Sequence, residues 1–140
     1  MEDAATLAAR ALNPQLSLFE SLGGQALKAV WEKKEYNDIV EIVFEFEKES
    51  LIVIENDDDD TISFYVSLTN DCRTNEKYID ATNKNPWDNF IGRRFTWGWM
   101  AINQQGYIDG LLLSFETIFP ALLLNVIASS IKVGVIVQIN

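Results

Sequence analysis

The strongest constraint on this chain is that its two halves are written in one grammar. In the first, Asn13-Pro14 opens a stretch with Leu16, Phe19 and Leu22 at helical spacing, and Gly23-Gly24 closes it. In the second, Asn85-Pro86 opens Trp87, Phe90 and Ile91, and Gly92 closes it. After each glycine stop the apolar period changes from helical to alternating. Tyr36-Asn37-Asp38 stands eight residues before Phe44-Glu45, and Tyr107-Ile108-Asp109 stands eight residues before Phe115-Glu116. Val40, Ile42 and Phe44 therefore share parity with Leu111, Leu113 and Phe115. Further on, Leu51–Ile54 resembles Leu122–Asn125, and Ile62, Phe64 and Val66 resemble Ile131, Val133 and Val135.

A repeat of this length predicts an α+β chain, mainly antiparallel β. Two helix-plus-four-strand units, about 13–67 and 85–139, are expected to be related by a pseudo-two-fold within one domain spanning 1–140. The first unit should carry strands at Ala26–Tyr36, Ile39–Glu47, Leu51–Glu55 and Thr61–Ser67. One unit of about fifty-five residues has little interior, so each gains by burying its sheet face against its twin. Ile42, Phe44, Leu113 and Phe115 belong to that shared core. Short connections imply meanders, closing as a barrel or packing as a sandwich. The polar stretch 68–84 reads as a linking loop, and the Ala-rich stretch from Asp3 to Leu12 as a further helix.

Charge and composition exclude more function classes than they suggest. The 140 residues contain no histidine, which removes Ser-His-Asp and Cys-His catalysis and imidazole-ligated zinc. Cys72 stands alone, so no intrachain disulfide or thiolate cluster can form. The net charge is −10, and residues 1–70 hold 15 acids against 5 bases, while residues 71–140 hold 6 of each. Such a surface repels nucleic acid and anionic lipid and attracts a basic protein. The acidic start Met-Glu-Asp, with no apolar run behind it, predicts no secretory leader and a cytoplasmic protein. Thr117–Ile139 is long and apolar, but Pro120, Lys132 and its β-branched residues read as two buried strands rather than a membrane span. No cofactor or metal motif is present.

Three constellations could carry function. Asp57-Asp58-Asp59-Asp60 lacks the alternation and glycine of a calcium loop, so it reads as a solvated hairpin turn that could also meet a basic partner. Phe95, Trp97, Trp99 and Ala101 alternate ahead of Asn103-Gln104-Gln105-Gly106 and Tyr107. Trp97, Trp99, Asn103, Tyr107 and Asp109 would suit a small polar ligand. The structural reading of the same residues places both indoles in the core between the halves. Asp38 and Asp109, matched across the repeat, read as turn acceptors ahead of an acid–base pair. Arg93-Arg94 read as partners of the acidic first half, and Cys72 lacks the electropositive setting of a reactive thiol.

The stretch from Trp97-Gly98-Trp99 through Asn103-Gln104-Gln105-Gly106-Tyr107-Ile108-Asp109-Gly110 resembles the signature of a family of small uncharacterised bacterial proteins. The resemblance covers the C-terminal half and carries over no activity. Size and acidity are similar to those of immunity proteins that neutralise toxins. The expectation is a non-enzymatic protein-binding module that uses an acidic surface, monomeric or homodimeric, without robust turnover. The alternative is a small polar ligand-binding or hydrolytic domain centred on Trp97, Trp99, Tyr107 and Asp109.

Overall fold

A computed structural model describes residues 16–56, 60–68 and 71–137. The Ala-rich N-terminal stretch, Asn13-Pro14 and Asp57–Asp59 lie outside the described residues. The short helix α1 (Leu18–Leu22) buries Phe19 and Leu22 and ends at Gly23, where the glycine pair predicts a stop. Then come β1 (Leu27–Glu35), β2 (Asp38–Phe46), β3 (Ser50–Asn56) and β4 (Thr61–Ser67), a four-strand antiparallel meander. Tyr36 and Asn37 join β1 to β2 with φ of 52° and 75°, the left-handed pair that a two-residue hairpin turn requires.

The polar stretch 68–84 is more than a loop. It holds a 3-10 turn (Cys72–Thr74) and β5 (Tyr78–Asp80), which pairs with β1. The first sheet is thus five strands in the order β4-β3-β2-β1-β5. In the second half the expected helix is only a 3-10 turn (Trp87–Asn89). It leads into β6 (Phe95–Ile102), β7 (Ile108–Phe115), β8 (Leu122–Ile127) and β9 (Ser130–Val135), a second meander in the order β6-β7-β8-β9. The apolar stretch near the C-terminus is therefore two strands, β8 and β9. No helix among the described residues is long and apolar enough to cross a membrane.

Both meanders turn the expected parity inward. Ile42 and Phe44 from β2 meet Leu111, Leu113 and Phe115 from β7 in one buried cluster. Seven of the eight phenylalanines are buried. Phe19 stacks on Phe64 at 4.9 Å, and Phe90 tilts onto Phe115 at 5.2 Å. Each such side chain contributes roughly 1.5–3 kcal/mol by leaving water. The sheets stack in a sandwich-like pair around this core and do not close into a barrel. One detail of the repeat differs in space. Val53 pairs with Ile42, while Leu122 pairs with Leu113, so the β7–β8 ladder is offset by two residues from the sequence alignment of Leu51 with Leu122. An even offset keeps the same side chains inside.

Along one edge the layers are joined by a backbone seam, where Ala26 bridges to Arg94. Leu27 N–H donates to Arg93 O at 2.9 Å, and Phe95 N–H donates to Gln25 O at 3.0 Å. Glu47 fastens the seam by accepting from Ala26 N–H at 2.7 Å, and Arg94 lies 3.4 Å from the same carboxylate oxygen. The Ala26 amide, aided by Arg94, holds the Glu47 carboxyl below the usual carboxylate range.

Candidate functional site

The tryptophans of β6 overturn the core reading. Pairing along β6 breaks between Phe95 and Trp97, where Thr96 forms an irregularity. That extra residue reverses the alternation, so Phe95 is fully buried and Trp97 is 56% exposed. Trp99 is half-buried. Trp97 pairs with Ser114 and Trp99 with Leu112, and Leu112 pairs with Leu123 of β8. These residues share the outer face of the four-stranded sheet. Ile118 and Phe119, in the connection after β7, are also exposed.

The amide-rich turn is organised by its own side chains. Asn103 Oδ1 accepts from Gln105 N–H at 2.9 Å and from Tyr107 N–H at 3.2 Å. Its amide donates to Asp109 at 3.4 Å. Tyr107 is exposed and Asp109 half-buried. Asp109 falls at a second break in the β6–β7 pairing, between Gly110 opposite Ala101 and Ile108 opposite Ile102. The five residues considered together for a ligand thus fall into two groups, Trp97 and Trp99 along β6, and Asn103, Tyr107 and Asp109 about the turn into β7. Asp38 lies exposed at the start of β2.

Of the acidic turn, Asp60 is described. It has φ 52°, and its carboxylate accepts from Ser129 N–H at 2.8 Å. The β3–β4 and β8–β9 hairpins therefore touch at their tips. Arg94 reaches Glu47 in the acidic first half, while the Arg93 guanidinium stands 5.8 Å from the Phe90 ring centre. No group of three or more Cys, Asp or Glu side chains among the described residues is placed to hold a metal ion.

Three acidic residues that sequence reasoning passed over, Glu32, Glu41 and Glu55, are buried. Glu32, on the inner face of β1, accepts from Trp87 Nε1 at 2.8 Å and from Lys84 Nζ at 3.1 Å. This pair straps the second 3-10 turn to the first sheet, and Glu32 holds the Lys84 ammonium above its ordinary range. Glu41 sits on the outer face of the same sheet, 8% exposed, and accepts from the Tyr78 hydroxyl. It borders a recess of about 210 Å³, whose boundary includes Val43 and Ile52 and, from the two edge strands, Tyr65 and Tyr78. Cys72 and Asp71 also line this recess. Burial, with Asp71 and Glu41 nearby, pushes the Cys72 thiol up to about 11, so it stays protonated at neutral pH. Burial and the bond to Glu41 raise Tyr78 in the same sense. The contributing residues come from β2, β3, β4, β5 and the linking stretch, so no local motif announces the recess. The one trace in sequence is a glutamate between apolar neighbours in β2.

No curated protein and no solved structure matches the chain. Residues 12–140 match a family described as one of unknown function, DUF6334, and the chain belongs to that family.

Proposed function

We propose that this chain is a non-enzymatic protein-binding module, and that its partner is a basic protein seated by an apolar patch on the outer face of the four-stranded sheet. The observation that carries this reading is Trp97, more than half exposed beside Trp99, Leu112 and Leu123. Exposed indoles in an apolar setting are the commonest anchors of protein interfaces. The four strands of that sheet carry only two formal charges, Asp109 and Lys132, in a chain with net charge −10. The acidic first half then steers a basic partner at long range, and the apolar face holds it. Asp57–Asp60 belongs to the steering field in this reading. The small-ligand alternative is less favoured, because Asn103 and Asp109 bond to each other at the turn into β7 while Trp97 stands in the apolar patch.

The test compares captured proteins across variants. A specific partner should be retained by the wild type and by Tyr36→Ala, an exposed aromatic on the opposite sheet, and lost by Trp97→Ser. Its association rate should fall with added salt and with Asp57–Asp60 replaced by Asn. A partner indifferent to Trp97→Ser would refute this contact surface.

We also propose that the two meanders derive from one duplicated helix-plus-four-strand unit, related by a pseudo-two-fold. Matched parity in β2 and β7, and matched strand order in the two sheets, support it. Superposition of experimental coordinates, Asp38 on Asp109 and Phe44 on Phe115, tests it. Strands in unrelated positions would refute it.

A further inference from the structure

We propose that the recess beside Glu41 on the outer face of the five-stranded sheet is a binding pocket for a primary alkylammonium group. It stands independently of any partner at the Trp97 face.

A carboxylate that is nine-tenths buried costs free energy unless a cation or several donors compensate it. Among the described residues no lysine or arginine nitrogen lies within 4.0 Å of Glu41, unlike Glu32, Glu45 and Glu47. Its cross-strand partner Lys33 lines a separate recess with Glu35, Glu76 and Lys77. Tyr78 donates to Glu41 Oε2, which leaves acceptor capacity on Oε1. The recess therefore presents a negative acceptor with no resident cation.

Shape and chemistry select the ligand. At about 30 Å³ per water-sized site, 210 Å³ holds roughly seven non-hydrogen atoms, enough for a butylammonium. Val43 and Ile52 offer apolar surface for methylenes, and the rings of Tyr65 and Tyr78 suit a cation. A guanidinium pairs best when both carboxylate oxygens are open to its fork. Tyr78 already occupies one of them, which favours the single-point ammonium. Asp71 adds negative potential at the recess. The same chemistry belongs to a lysine side chain on a protein and to a free small amine.

The experiment is titration of the full chain with n-butylammonium chloride at fixed ionic strength, followed by NMR shifts of the Glu41, Ile52 and Tyr65 amides. Saturable shifts confined to that face are expected, with dissociation on the order of millimolar for so small a ligand. N-butylacetamide, which keeps the stem without the charge, should bind at least about tenfold more weakly, as should n-butylguanidinium. Glu41→Gln retains an acceptor for Tyr78 and should weaken the amine by about tenfold or more. N-acetyl-lysine methylamide separates the sources: its binding assigns the pocket to a protein lysine, and its exclusion assigns it to a free amine. Equal binding of N-butylacetamide by the wild type, or shifts that never saturate, would overturn the proposal whether or not Glu41→Gln folds.

Discussion

Gly98 lies directly against Phe19. A methyl group on its α-carbon would stand 2.5 Å from Phe19 Cδ1 and 2.6 Å from Cγ. The residue between two exposed or half-exposed tryptophans is thus a glycine because the inner side of β6 is occupied by a ring that also stacks 4.9 Å from Phe64. Gly98→Ala should destabilise by about 1–3 kcal/mol, since the ring must leave a packed stack. Combining it with Phe19→Leu should recover part of that loss, measured as a non-additive pair in urea denaturation. Strict additivity would contradict the contact.

Glu32 supports the 3-10 turn from across the sheet. Glu32→Ala leaves the fully buried Trp87 N–H without its acceptor and should cost about 2–4 kcal/mol. Glu32→Gln keeps an acceptor and should cost less. Lys84→Met should cost under about 1 kcal/mol, because the ammonium is half exposed and returns easily to water. Chemical denaturation of the three variants checks the order. A Lys84→Met loss equal to that of Glu32→Ala would place the weight on the ion pair rather than the indole.

Alkaline pH should weaken the fold through the outer recess. The Cys72 thiol is pushed up to about 11 from an ordinary 9.0. A raised folded-state value means the folded chain keeps a proton that the unfolded chain has lost. The contribution is fully present below pH 9.0 and falls as pH rises toward 11. Tyr65 and Tyr78, also raised, extend the decline to higher pH. Urea midpoints should therefore fall across this window, and Cys72→Ala should flatten its lower part. An unchanged slope in that variant would show the thiol is not responsible.

At the hairpin tips, Asp60→Ala should cost about 1 kcal/mol by removing the acceptor of Ser129 N–H. Asp60→Asn should cost less than about 0.5 kcal/mol, since asparagine keeps a side-chain carbonyl and tolerates positive φ. Thermal melts of both variants check this. Equal losses would remove the bond between the hairpins from the account.

The strands of both meanders are legible because alternation is strong and some turns carry suitable residues. Tyr36-Asn37 marks its hairpin, and the parity of Phe44 and Phe115 correctly predicts burial. β5 is hidden, because three residues within a polar stretch carry no period. Trp97 was misplaced for a different reason. Alternation assumes an unbroken ladder, and the single extra residue at Thr96 turns everything beyond it over. The Glu41 recess is assembled by register alone, from residues 37 positions apart in the case of Glu41 and Tyr78.

The seam between Ala26 and Arg94 also orders events in time. Every ladder within a meander closes between neighbours in sequence, whereas this bridge must bring together positions 68 residues apart. Closing so long a loop is entropically late. Each hairpin stack should form before the two are clasped, and the clasp should be the first part to come undone. Amide hydrogen exchange at Leu27 and Phe95 should accordingly outpace that at Val43 and Leu112, making the seam the place where the shared core first opens.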